Sequence, residues 1–178
     1  MSDSASDRTI LHEGRFVRLV KQGRWEFAER CNLSGIVGLV AVTDEGRLLL
    51  VEQFRPPVGR HVIELPAGLA GDTPGAADEA FADAARRELL EETGYEASSM
   101  EFLAAGAASA GLSDEVLSLF RATGLRKVGA AEGDGHEQII SHEVPLAEVE
   151  AFLSRQTAAG KLVDLKVYAG LYFARANR

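Results

Sequence analysis

The order of expected elements, strands then a long helix then strands then two helices, predicts an α+β chain in a mixed sandwich layout. Three observations carry that reading. Residues Ile36 to Val42 form a nearly continuous apolar run, which suits a strand buried on both faces. The stretch Arg87-Glu88-Leu89-Leu90-Glu91-Glu92-Thr93 reads as the last turns of a helix, and Gly94 follows where a left-handed C-cap is usual. Leu146, Val149, Phe152 and Leu153 recur at helical spacing after Pro145.

Taken in order, Met1 to Asp7 is polar and expected to fray. Gly14 to Arg30 alternates loosely and predicts two short strands broken at Gln22-Gly23. Asp44-Glu45-Gly46 is a turn between the buried run and Arg47 to Gln53, which together predict a hairpin ended by Pro56-Pro57. His61 to Leu65 is a short extended piece meeting Pro66-Ala67-Gly68, and the breakers from Gly71 to Gly75 make a loop. The first helix starts at Pro74, capped by Thr73, or near Glu79, capped by Asp78. Strands are expected at 100–108, 115–122 and 138–144, with a polar, glycine-rich mobile loop at 127–137. Helices follow at about 145–156 and 163–174.

A chain of 178 residues holds one domain with a sizeable core, or one domain with a small appendage. No apolar run is long enough to cross a membrane, and the N-terminus lacks the build of a secretion signal. Cys31 is the only cysteine, so no intrachain disulfide, cysteine zinc site or redox pair is available, and a cytoplasmic location is the default. A net charge of −8 argues against nonspecific nucleic-acid binding. His12, His61, His136 and His142 show no metal-ligand spacing.

The chemistry concentrates at the helix end. At about 100° per residue, Glu88, Glu91 and Glu92 fall in one sector with Phe81, Ala84 and Ala85. A glutamate cluster is ordinarily a solvated face. Here it continues an apolar face, and unpaired carboxylates on a packed face call for a cation. Arg87 precedes Glu91 by four residues and can pair with it. A carboxylate ladder suits a hard ion such as Mg²⁺, which takes one or two carboxylates and substrate phosphates.

Arg87-Glu88-x-x-Glu91-Glu92-x-Gly94 resembles the Nudix box, G-x5-E-x7-R-E-U-x-E-E-x-G-U. Seven residues separate Glu79 from Arg87, as in that pattern, and Gly68 stands for the box glycine. Ten residues separate Gly68 from Glu79 where the family has five, an insertion expected in the breaker-rich loop or as an extra helical turn. Val51 to Pro57, Glu64-Leu65-Pro66-Ala67-Gly68-Leu69, Trp25-Glu26, Gly111-Leu112-Ser113, Gly133-Asp134-Gly135 and Val163 to Tyr168 resemble the ADP-ribose pyrophosphatase branch. Ala110 replaces a proline common there, which leaves the preferred sugar nucleotide open.

The resemblance implies an α/β/α Nudix sandwich with a mixed sheet and a small N-terminal β-subdomain. Residues 1–34 would serve dimerisation and substrate binding, and 35–178 would form the hydrolase domain. It implies a metal-dependent hydrolase that splits the diphosphate of a nucleoside diphosphate sugar such as ADP-ribose. A non-catalytic nucleotide-binding regulator, and a hydrolase of nucleoside triphosphates or dinucleoside polyphosphates, are the alternatives. It assigns Glu88, Glu92 and the Ala67 carbonyl as ligands of Mg²⁺ or Mn²⁺. Glu91 is a further ligand or the partner of Arg87, and Ala67-Gly68 alone reads equally as a tight turn. The catalytic group would be Arg87, Glu91 and a late-loop base, Glu137 ahead of Glu132 and Asp134. Trp25 would stack on the base beside Glu26, while Arg55, Glu64 and Leu69 would line the substrate pocket. A homodimer with shared active sites follows, in which Trp25 serves the neighbouring subunit.

Overall fold

The computed structural model describes residues 7–31, 34–71, 79–131 and 138–176. The alternating segment does form two strands, β2 (Val17–Gln22) and β3 (Trp25–Arg30), turning at Gly23 with φ 57°. They pair antiparallel with an unanticipated strand, β1 (Arg8–Glu13), to make a separate three-stranded sheet. β1 escapes a sequence reading because its six residues are all exposed, so burial imposes no alternation on it.

The body holds two four-stranded sheets. One runs β7 (Ala67–Ala70), β4 (Gly35–Ala41), β9 (Val116–Lys127), β8 (Tyr95–Ala107), with β4 and β9 parallel. The other runs β10 (Ile140–Pro145), β5 (Arg47–Arg55), β6 (Arg60–Glu64), β11 (Leu162–Val163), with β6 and β11 parallel. Helix α1 (Phe81–Thr93) covers β4, β7 and β8, while α2 (Val149–Ala158) and α3 (Leu165–Ala176) pack on the other side. Among the described residues no helix is long and apolar enough to cross a membrane.

Strand pleating explains this layering. On β4, Val37, Leu39 and Ala41 join Ala84, Ala85 and Leu89 of α1, whereas Val40 faces the core shared with Val149, Val167 and Leu171. The apolar run is therefore buried on both faces, as its composition predicts.

The expected hairpin does not form. β4 and β5 turn at Gly46 but share only one bridge, Val42 to Leu48, and then diverge into different sheets. Both strands are apolar on both faces, so both are central, and each takes partners from distant segments. Ala67 and Gly68 lie in β7, paired with β4, rather than in a tight turn. Helix α1 starts later than either expectation, at Phe81 after Ala80, with no side-chain cap; Thr73, Pro74 and Asp78 lie outside the described residues. Its end is as expected, with Gly94 at φ 73° donating its N–H to Leu90 O at 2.8 Å.

Candidate active site

The C-terminal half of α1 faces a cavity of about 390 Å³ bounded by both sheets. Ala84, Ala85 and Leu89 seat the helix in the core, and helical spacing then carries Glu88 and Glu92 inward. Glu88 and Glu92 are buried at 8% and 6% exposure. The third acid departs from the expected inward trio, because the Glu91 side chain is about two-fifths exposed.

Arg87 organises this wall. Its guanidinium reaches Glu88 Oε1 at 2.8 Å, Glu91 Oε2 at 3.3 Å and both Glu79 oxygens at 3.2 Å, and it donates to Leu69 O at 2.8 Å. Five donors in a fixed fork suit such a junction. Arg87 holds the Glu79 carboxyl below its ordinary range, and Glu79 also accepts from Gly71 N–H at 3.3 Å. The box acid ahead of the helix thus ties α1 to the end of β7.

Glu92 has no ion pair among the described residues. It accepts only the Ala67 N–H, at 2.9 Å. Burial pushes its carboxyl up to about 8, with Glu88 and Glu64 adding to the rise against the pull of Ala67 N–H. Gly68 is needed for this packing, since a Cβ there would lie 1.9 Å from Glu88 Cδ.

The rest of the lining carries three cations, Arg55, Lys166 and Arg30, each beside an acid, together with Gln53, while Ala67 and Leu69 of β7 stand against α1. Arg55 Nε donates to Glu64 Oε2 at 2.8 Å. Burial raises the Glu64 carboxyl and Arg55 offsets it only in part. Asp164 caps α3 by accepting Lys166 N–H at 2.7 Å, and it also pairs with Lys166 Nζ. Arg30 pairs with Glu115 at 2.5 Å.

Ala67, Leu69, Arg55, Glu64, Arg87, Glu88, Glu91 and Glu92 all line this one cavity. Trp25 and Glu26 do not. They sit on β3, Trp25 is half exposed beside Arg24, and neither lines the cavity of its own chain. Glu137, Glu132 and Asp134 lie outside the described residues. Sequence reasoning missed Gln53, Lys166, Arg30 and Glu115 as lining residues. Period-two alternation from Arg55 would have found Gln53.

Among the described residues no three His, Cys, Asp or Glu side chains converge into a ready-made metal cage. Two buried carboxylates on one wall still match a hard divalent ion, which takes few protein ligands and completes its shell with water and phosphate. The unpaired, buried Glu92 is the observation that favours such a fit.

The NUDIX domain family model matches residues 34–165. The methanol dehydrogenase activator of Bacillus methanolicus is 34% identical over 138 residues, covering 73% of this chain and 71% of that protein. The ADP-ribose pyrophosphatase of Mycobacterium tuberculosis is 36% identical over 146 residues, covering 80% of this chain and 65% of that protein. A solved structure described as an ADP compounds hydrolase superposes with a TM-score of 0.65 at 21% identity, covering 83% of this chain and 80% of the other, a likeness of fold. A match running through most of the chain, on a fold shared with a solved relative, makes this protein a member of the Nudix family.

Proposed function

We propose that the chain is a divalent-metal-dependent Nudix pyrophosphatase that hydrolyses a nucleoside diphosphate sugar, ADP-ribose or a close analogue, to a nucleoside monophosphate and a sugar phosphate. The observation that carries this reading is one cavity with two chemistries. Buried, unpaired acid stands on α1, and guanidinium and ammonium groups stand on the β5 and α3 side. Acid alone would repel a diphosphate, and base alone would hold it without help for the reaction. The name of the mycobacterial relative agrees with this choice of substrate.

Glu88, Glu92 and the Ala67 carbonyl would hold Mg²⁺, or Mn²⁺ in its place, with Glu91 as a further ligand or as the partner of Arg87. A bound ion of this kind would neutralise phosphate charge, fix geometry and ease deprotonation of the attacking water. Arg87 keeps Glu88 and Glu91 in place, so it is a positioning residue here. Arg55, braced by Glu64, grips phosphate as a forked donor, and Leu69 forms the floor beside it. A late-loop acid, Glu137 first, would take the proton from the attacking water.

The 1–34 segment, through its sheet of β1 to β3, serves dimerisation in this reading. Ile10, Leu11, Phe16, Val17, Leu19 and Trp25 are exposed there, with Ile10 and Trp25 on one face of the sheet and Val17 and Leu19 on the other, apolar area that a second copy would cover. Trp25 and Glu26 would then complete the partner's cavity by holding the base. The lone Cys31 accords with a cytoplasmic location. The test is turnover of ADP-ribose with Mg²⁺ by the wild type and by Glu92→Gln, with products resolved by chromatography. Wild-type release of nucleoside monophosphate, abolished in a folded variant, supports the reading; full activity in the variant rejects it.

A further inference from the structure

Gln53 lies on β5 in the cavity wall, two residues before Arg55 and on the same face of the strand. It is 3% exposed, and its side-chain Oε1 is buried without a hydrogen-bond partner among the described residues. No other described buried side-chain oxygen or nitrogen is left in that state. Leaving such an acceptor unmet costs the fold its desolvation penalty. A folded protein keeps one where a ligand or water meets it.

The nature of the missing donor follows from what enters the cavity. An amide oxygen only accepts, and so do the ionised oxygens of a diphosphate. The phosphates therefore cannot satisfy it. On the function proposed above, on which this inference rests, the base is held by Trp25 and Glu26, away from this wall. The remaining donors on the substrate are the hydroxyls of its two sugars; the nucleoside ribose stays with the base, which leaves those of the second sugar for this wall. We propose that Gln53 is a specificity-determining residue whose side-chain carbonyl accepts a hydrogen bond from a hydroxyl of that sugar. It thereby favours sugar-bearing diphosphates over nucleotides whose terminal group carries no hydroxyl. Arg55, two residues on, reads the phosphate, so one face of a single strand reads both parts of the substrate.

The test compares wild type, Gln53→Met and Gln53→Glu on ADP-ribose and on the ethyl ester of ADP, which keeps the diphosphate and lacks the second sugar. Affinity is measured by calorimetry in chelator, and kcat/KM with Mg²⁺. Gln53→Met should shrink the preference for ADP-ribose over the ester about tenfold, the worth of one hydrogen bond to an uncharged group. Gln53→Glu keeps an acceptor and should retain the preference while weakening both ligands through charge. Equal losses on both ligands in Gln53→Met would place the amide on the diphosphate or in a purely structural role, and overturn the proposal. So would an unchanged preference, or a wild type that binds both ligands equally. A wild type that binds ADP-ribose with the Gln53-dependent preference but never hydrolyses it would sink the hydrolase reading and leave this one standing.

Discussion

Two buried glutamates lie on opposite faces of the sheet built around β5, and their surroundings differ completely. Glu52, 4% exposed, points to the α2 side and meets Lys161 Nζ at 2.7 Å, His142 Nε2 at 3.0 Å and His61 Nδ1 at 3.2 Å. Glu92, 6% exposed, points into the cavity and meets one backbone N–H. Burial acts first on both carboxyls and pushes both up. Lys161 and His142 then pull Glu52 below its ordinary range, whereas Glu92 stays raised at about 8. A buried charge with its own cations is a structural staple, here linking β5 to β6, β10 and the segment before β11. A buried carboxyl without one is held at a cost to the fold, and a cation from outside relieves that cost.

The sharpest way to break this contrast is to neutralise each acid. Glu92→Gln should lower kcat on ADP-ribose with Mg²⁺ by about 10³-fold, the scale of a lost contribution to metal-assisted catalysis. The same variant should not be less stable than wild type in chelator, because it removes an unpaired acid. Glu52→Gln should do the reverse. It should cost about 2 kcal/mol in urea denaturation by stranding Lys161, and leave kcat within a few-fold of wild type. A stable, active Glu52→Gln protein would dissolve the distinction.

Gly68→Ala sharpens the cavity side alone. The added methyl must displace the Glu88 carboxylate, so kcat/KM should fall about 100-fold, with little change in stability, since what moves is the far end of a flexible side chain beside a cavity. Wild-type turnover from that variant would mean that Glu88 has room to move without consequence.

The pH dependence separates the two acids by sign. For Glu92 the folded carboxyl titrates above the ordinary value of 4.5, so its contribution to stability is complete below 4.5 and is lost as pH rises toward about 8. In chelator, wild-type stability should fall relative to Glu92→Gln across that window, and added Mg²⁺ should restore it at the alkaline end. Glu52 titrates below 4.5 in the fold, so its contribution is present above 4.5 and is lost as pH falls. Urea midpoints measured from about pH 3 to 9 in the wild type and both variants would show parallel curves if the two environments were in fact alike. The smallest effect belongs to Lys161→Met, which should cost about 1 kcal/mol, since the lysine is itself partly exposed, and leave turnover unchanged.

The helix-borne part of the site was legible because helical spacing is short-range. Once Ala84, Ala85 and Leu89 are core, the directions of Glu88 and Glu92 follow within two turns. Glu91 was less determined, since it lies at the edge of that sector and Arg87 draws it outward. Trp25 and Glu26 were named by resemblance alone, and the structure puts them on β3, outside the cavity of their own chain.

The sequence by itself determined that Ile36 to Val42 is a central strand, that α1 ends at Gly94, and that a carboxylate wall precedes that end. Each follows from side chains within a few residues of one another. Only the tertiary structure decided that β4 and β5 part into two sheets after a single bridge, and that Ala67 and Gly68 form a strand against β4. It alone joined Glu52 to Lys161, and left Gln53 Oε1 without a partner among the described residues, in the cavity that the acids of α1 line. Those outcomes depend on which distant segments pair and pack, and sheet pairing is a competition among non-local contacts that no window of sequence contains.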